Sequence, residues 1–255
     1  MLKPPQPFTL RDWSEYLSEL HQDDDRSGYV NMHDDNSFYH SGSISQLING
    51  QQGDDFITLD GSAADTVYGG SGWDNIDAGG GNDHVYGGSG NDTLFGSGGD
   101  DTIYGGSGND YIAGDNDAIA FSENGKDTLF GGSGNDTIYG GGKADTMTGG
   151  YGNDTFVYEV GLGTQNESKV GTGADHITDF QTGDIIDVSA IDANGSQAGD
   201  PQFQFLDHSS TQAGTCWVES RADGQHIFFN IDGGSADMEI ISDNSHVFTA
   251  SDFHL

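Results

Sequence analysis

A nine-residue unit, G-G-x-G-x-D-x-U-x with U apolar, recurs through the middle of the chain. Its clearest copies are GGSGNDTLF (87–95), GGSGNDYIA (105–113) and GGSGNDTIY (131–139). Its aspartate recurs as Asp55, Asp65, Asp74, Asp83, Asp92, Asp101, Asp110, Asp127, Asp136, Asp145 and Asp154. Two residues after each stands Ile57, Val67, Ile76, Val85, Leu94, Ile103, Ile112, Leu129, Ile138, Met147 or Phe156. Five units run without a gap from Gly69 to Ala113, and three more from Gly131 to Val157. So short and regular a period excludes long helices. It predicts a solenoid in which each turn of chain rests on the next.

The residue types say how one turn is built. A short x-U-x strand points U one way and its neighbours the other. The six glycine-rich residues before it make a turn, because glycine reaches positive φ without a clash. Two turns and two strands give a flattened coil of 18 residues, and coils stack about 4.8 Å apart as parallel strands. The U side chains then meet inside, and aspartates two units apart form a row along each edge. Unpaired, such a row of carboxylates repels itself. A hard cation that takes six to eight oxygens removes the repulsion and uses the turn carbonyls, and Ca²⁺ fits better than Mg²⁺. The expected side-chain ligands are the aspartates. The expected carbonyl donors are Gly70, Gly72, Gly88, Gly90, Gly106, Gly108, Gly132 and Gly134.

Asp74, Asp83, Asp92, Asp101, Asp110, Asp136 and Asp154 sit in well-formed units. The others do not. Leu59 is extra between the first two units, Ala63 and Lys143 replace position-4 glycines, and an insertion at roughly 114–121 (GDNDAIAF) precedes Asp127.

Composition agrees with ordered cation sites. The net charge is −35, from 42 Asp+Glu against 7 Lys+Arg, and eleven of the acids recur at one fixed place among glycines. So few basic residues argue against nucleic acid and anionic lipid as partners. No stretch is apolar enough for a membrane-spanning helix. Cys216 rules out an intramolecular disulfide and reads as a small core residue beside Trp217.

The array resembles the RTX (haemolysin-type) calcium-binding repeats. The flank GADHITDFQTGDIIDVSAID (173–192), FFNIDGGSADMEI (228–240) and the ending ASDFHL (250–255) resemble the C-terminal region of serralysin-type secreted proteases. The resemblance implies an all-β fold: a parallel β-roll with a β-rich C-terminal cap. It also implies an uncleaved export signal near the C-terminus, read by type I secretion machinery. Here that signal is Asp252-Phe253-His254-Leu255, where His254 departs from the apolar pattern. The start, MLKPPQPFTLRDW, is no secretory signal peptide. The expected location is therefore extracellular, with Ca²⁺ driving folding after export.

Three regions follow. Residues 1–49 are a leader with a short helical segment, for Leu10, Trp13, Leu17 and Leu20 fall at helical spacing. Residues 50–157 are the array. Residues 158–255 hold less glycine and lose the nonapeptide spacing. In the leader, DDDRSGYVNMHD (23–34) places Asp23, Asp25, Ser27 and Asp34 at positions 1, 3, 5 and 12 of an EF-hand loop. Asp34 stands where a bidentate Glu is usual, so the segment reads either as a further Ca²⁺ site or as an acidic connector.

No HExxH, G-x-S-x-G or Walker motif is present, so no catalytic residue is assigned. The expected function is non-enzymatic extracellular binding, with a glycan or cell-surface partner, and the Met1 start favours a complete small protein. The alternative is the secretion and folding module of a larger extracellular enzyme. Tyr68, Tyr86 and Tyr104 recur at position 9 with 18-residue spacing, and Phe130 extends the row. They read either as cover for the thin core under the N-terminal helix or as an aromatic platform.

Overall fold

The computed structural model describes residues 29–32, 37–115, 124–158, 173–191, 203–206, 208–231 and 236–255. The strands come in chain order as β1 (Tyr29–Asn31), β2 (Ser37–His40), β3 (Leu47–Gln52), β4 (Phe56–Leu59), β5 (Thr66–Ser71), β6 (Asn75–Asp77) and β7 (His84–Ser89). Next are β8 (Thr93–Ser97), β9 (Thr102–Ser107), β10 (Tyr111–Asp115), β11 (Thr128–Ser133), β12 (Thr137–Tyr139), β13 (Thr146–Tyr151) and β14 (Thr155–Val157). The last are β15 (Asp175–Ile177), β16 (Ile185–Asp187), β17 (Gln204–Leu206), β18 (Thr215–Arg221), β19 (Gly224–Asn230), β20 (Met238–Ser242) and β21 (Phe253–His254).

Up to β16, odd and even strands separate into two sheets, as alternating turns require. The first sheet runs β1-β3-β5-β7-β9-β11-β13-β15-β20-β19-β18-β17, and the second β2-β4-β6-β8-β10-β12-β14-β16-β21. Through the array every pairing is parallel and in register. Val67, Val85, Ile103, Leu129 and Met147 form one inward column. Ile57, Ile76, Leu94, Ile112, Ile138 and Phe156 form the other. All of these side chains are fully buried, so the core is a double file of U residues between two sheets.

The extra residue Leu59 is absorbed by lengthening β4, and its side chain is buried. The insertion begins later than the sequence reading places it. Gly114 and Asp115 belong to β10, where Asp115 pairs with Ser97, and residues 116–123 lie outside the described residues.

Positions 2 and 4 of the unit carry the turn. Position 2 sits at φ +116° in Gly70 and +115° in Gly106, and position 4 at +134° in Gly72 and +129° in Gly108. Lys143, a side chain at position 4, is held at φ +91°. Left-handed backbone at a non-glycine residue costs on the order of 1 kcal/mol. Lys143→Gly is expected to raise the melting temperature of the Ca²⁺-loaded protein by about 2–4 °C, read by calorimetry.

Past the array, β15 and β16 extend the two sheets in parallel, and β18, β19 and β20 form an antiparallel cap. β20 joins the cap to β15, and β21 pairs in parallel with β16. Cys216 on β18 lies opposite Phe229 on β19, fully buried, and burial pushes its thiol up to about 12. It is a core residue, as the sequence indicates. Farther along the same hairpin His226 lies between Glu239 (2.6 Å) and Asp223 (2.9 Å), and Arg221 bridges Glu239 (3.3 Å) and Glu219 (3.0 Å).

The predicted N-terminal helix falls outside the described residues, as do Asp23, Asp25, Ser27 and Asp34. Within the EF-hand-like stretch, Tyr29–Asn31 form β1, paired in parallel with β3.

Candidate metal centre

The aspartates at position 6 form two ladders, one on each edge of the roll. Past the first of each row, each accepts a hydrogen bond at Oδ1 from the backbone N–H of its counterpart one coil earlier, and Asp65 accepts from the N–H of Gln46 (2.6 Å). On the first edge Asp65 donates to Asp83 (2.7 Å), Asp83 to Asp101 (2.7 Å), Asp101 to Asp127 (2.8 Å) and Asp127 to Asp145 (2.8 Å). On the second Asp55 donates to Asp74 (2.9 Å), Asp74 to Asp92 (2.9 Å), Asp92 to Asp110 (2.8 Å), Asp110 to Asp136 (2.8 Å) and Asp136 to Asp154 (2.9 Å). The sequence-predicted aspartates are thus brought together edge by edge, and all eleven are buried.

One oxygen of each carboxylate is used this way. The other is not. Oδ2 of Asp74, Asp83, Asp92, Asp101, Asp110, Asp127, Asp136, Asp145 and Asp154 is buried with no hydrogen-bond donor. Leaving an ionised oxygen so placed is costly. Burial, reinforced by neighbouring aspartates, pushes Asp83, Asp92 and Asp136 up to about 7 and Asp101 up to about 8. Burial likewise raises Asp65, Asp74, Asp110 and Asp154. Asp127 and Asp145 also lie high, because they are buried and each feels the charge of a further aspartate. The site needs positive charge.

The turn glycines show what else faces that oxygen. A methyl on Gly87 would lie 2.5 Å from Asp92 Oδ2 and 2.6 Å from the Gly105 carbonyl oxygen. On Gly105 it would lie 2.5 Å from Asp110 Oδ2 and 2.6 Å from the Gly131 carbonyl oxygen. The orphaned carboxylate oxygen and the carbonyl of the next coil therefore converge where only glycine leaves room. Among the described residues no three His, Cys, Asp or Glu side chains come together for a metal. An ion here must take its donors from carboxylates and backbone carbonyls together. An all-oxygen set suits a hard cation with a large, flexible shell, which is the chemistry of Ca²⁺.

Two features escape the sequence reading. Asp175 and Asp184 continue the ladders: Asp145 donates to Asp175 Oδ1 (2.9 Å) and Asp154 to Asp184 Oδ1 (3.0 Å). They stand nine residues apart, each two before a buried isoleucine, Ile177 and Ile186. The nonapeptide spacing therefore returns after residue 158, contrary to expectation, with most of its glycines gone. The second feature is a ladder at position 5, running the opposite way. Asn109 donates its N–H to Asn91 Oδ1 (2.8 Å), Asn135 to Asn109 (2.8 Å) and Asn153 to Asn135 (2.9 Å). The recurring Asn-Asp dipeptide is its signal in the sequence.

Fold and site together define a parallel β-roll whose turns bind cations through stacked aspartates and glycine carbonyls. The family model for the RTX calcium-binding nonapeptide repeat (4 copies) matches residues 59–85, 86–118 and 121–157. The array is thus one of RTX repeats, and the ion it binds is Ca²⁺. Two similar solution structures are the R3 and R2 subunits of AlgE6, a mannuronan C5-epimerase of Azotobacter vinelandii. The first is 26% identical over 62% of this chain and 80% of its own, with a TM-score of 0.42. The second is 25% identical over 63% and 91%, with a TM-score of 0.41. Comparison with curated protein sequences gives no match.

Proposed function

We propose that the chain leaves the cell unfolded by type I export and folds outside on Ca²⁺. There it acts as a non-enzymatic binding protein toward a glycan or a cell surface. The observation that carries the folding step is the double row of buried, donorless Oδ2 atoms. At neutral pH these carboxylates need a cation before the coils can stack, so ion binding and folding are one event. Asp55, Asp65, Asp74, Asp83, Asp92, Asp101, Asp110, Asp127, Asp136, Asp145 and Asp154 supply the side-chain oxygens, with carbonyls of the intervening turns. Asp175 and Asp184 extend the same rows.

The C-terminal residues support export before folding. Phe253 on β21 is buried against β16, so a signal spanning Asp252–Leu255 is readable only while the last coil is open. Exposed aromatics, Trp73 in a turn and Tyr151 at the end of β13, favour an interaction role. Among the described residues no helix is long and apolar enough to cross a membrane.

A Ca²⁺ titration followed by far-ultraviolet circular dichroism and gel filtration tests the folding step. In chelator at neutral pH the chain should run expanded and lack β signal. Ca²⁺ should produce both compaction and β structure in one cooperative transition. Coincident spectra in chelator and in saturating Ca²⁺ would sink the proposal.

A further inference from the structure

Asp184 continues the second ladder, yet its turn is built differently from those before it. In the unit 179–187, Asp179, Phe180 and Thr182 stand where the array has glycine. Phe180 and Thr182 do not take the left-handed backbone of Gly132 (φ +110°) and Gly134 (φ +137°), so this turn does not repeat the array's geometry.

The protein uses up the oxygens of this turn itself. Asp184 accepts at Oδ1 from the N–H of Asp154 (3.0 Å), as the ladder requires, and at Oδ2 from the N–H of Gln181 (2.8 Å). Its second oxygen is therefore satisfied, unlike Oδ2 of Asp74, Asp92, Asp110, Asp136 and Asp154 in the same row. The Phe180 carbonyl, at position 2, accepts from the side-chain amide of Asn244. Asn244 is itself held, for its Oδ1 accepts from the N–H of His246 (3.0 Å). One coil back, the position-2 carbonyl of Gly150 accepts from the side-chain amide of Gln181. The N–H groups of Gly149 and Gly150 donate to the two carboxylate oxygens of Asp179 (2.9 and 2.8 Å). Beside this turn the buried Phe180 ring packs on His246 (5.0 Å) and Phe248 (4.7 Å). Aromatic surface offers a hard cation no oxygen.

We propose that the second row of Ca²⁺ sites ends at Asp154: Asp184 binds no ion, and the Gln181 N–H and the Asn244 amide stand where an ion would. An amide N–H presents to a carboxylate or carbonyl oxygen the partial positive charge that a cation supplies elsewhere in the row. Asp184 thus belongs to the ladder of hydrogen bonds and not to the row of ions. The inference rests on the Ca²⁺-driven folding proposed above and sets its limit on one edge.

Counting the Ca²⁺ held by the full-length protein at saturation, by equilibrium dialysis and atomic absorption, tests this. Asp184→Asn should hold as many ions as the parent, and the Ca²⁺ midpoint of folding should move by less than about twofold. Asp136→Asn, in the same row, should hold at least one ion fewer and raise the midpoint by about tenfold or more. Asn244→Ala should keep the parent's count while lowering the melting temperature of the Ca²⁺-loaded protein, which decides the matter if Asp184→Asn does not fold. A lower count in Asp184→Asn or in Asn244→Ala overturns the proposal. A parent chain that binds no Ca²⁺ overturns the folding proposal itself, and this one with it.

Discussion

Stripped of Ca²⁺ at pH 7.5, the protein should lose its β signal, and acidification to about pH 5 should restore it without metal. The sign follows from the ladders. In the folded chain burial holds Asp83, Asp92 and Asp136 at about 7 and Asp101 at about 8, against an ordinary 3.8. Between those limits the folded state keeps protons that the unfolded state has released, so metal-free stability falls as pH rises. It is fully present below 3.8 and lost by about 8. Protons and Ca²⁺ are thus alternative ways of neutralising one row of oxygens. The Ca²⁺-dependent change in ellipticity should be largest at pH 7.5 and nearly absent at pH 5. Dichroism across that range, with and without chelator, gives the answer. Low micromolar protein is needed, because the isoelectric point is near 4.1. A chelated chain that is equally folded at both pH values, or that unfolds on acidification, contradicts the account.

Gly108→Ala should damage the roll far more than its one methyl suggests. Gly108 sits at φ +129°, and a Cβ there would overlap the carbonyl oxygen of Gly90 in the coil below. Left-handed strain alone costs on the order of 1–3 kcal/mol, and the overlap is with backbone, which cannot swing aside. A loss of at least about 3 kcal/mol corresponds to a melting temperature lower by about 6–12 °C in a chain of this size. Ser107→Ala, one residue earlier and exposed, is the control and should be nearly silent. Lys143 shows how position 4 accepts a side chain. Its φ of +91° departs from the +114° to +140° of Gly72, Gly81, Gly90, Gly99, Gly108, Gly134 and Gly152. Equal melting temperatures for Gly108→Ala and Ser107→Ala would show that the turns adapt more freely than their packing implies.

Much of this was legible in the sequence because the repeat states each instruction many times. The U residues and the aspartates recur in phase, and phase fixes both the sheet a strand joins and the edge an aspartate occupies. What recurs less was harder to see. Asp175 and Asp184 keep the D-x-U spacing, but Val170, Asp179, Phe180 and Thr182 stand where the unit has glycine, and only Gly171 and Gly173 remain of its signature. The position-5 ladder was hidden by variety, since Asn, Asp, Lys and Trp all stand there and the bond uses their backbone N–H. The cap has no period to read. Its pairings, such as Cys216 with Phe229, come from an antiparallel hairpin, and the two-residue strand Phe253–His254 is too short to show alternation.

The hydrogen bonds of both ladders step by 18 residues through the regular array and by 26 across the insertion, on both edges alike. Length in this molecule is therefore counted in whole coils. Losing two units would shorten the roll by one storey and leave every later residue on its own side. Losing one unit would exchange left for right downstream, breaking the aromatic strip and presenting the cap with the wrong edges. The chain is written in nines, but it can be edited only in eighteens.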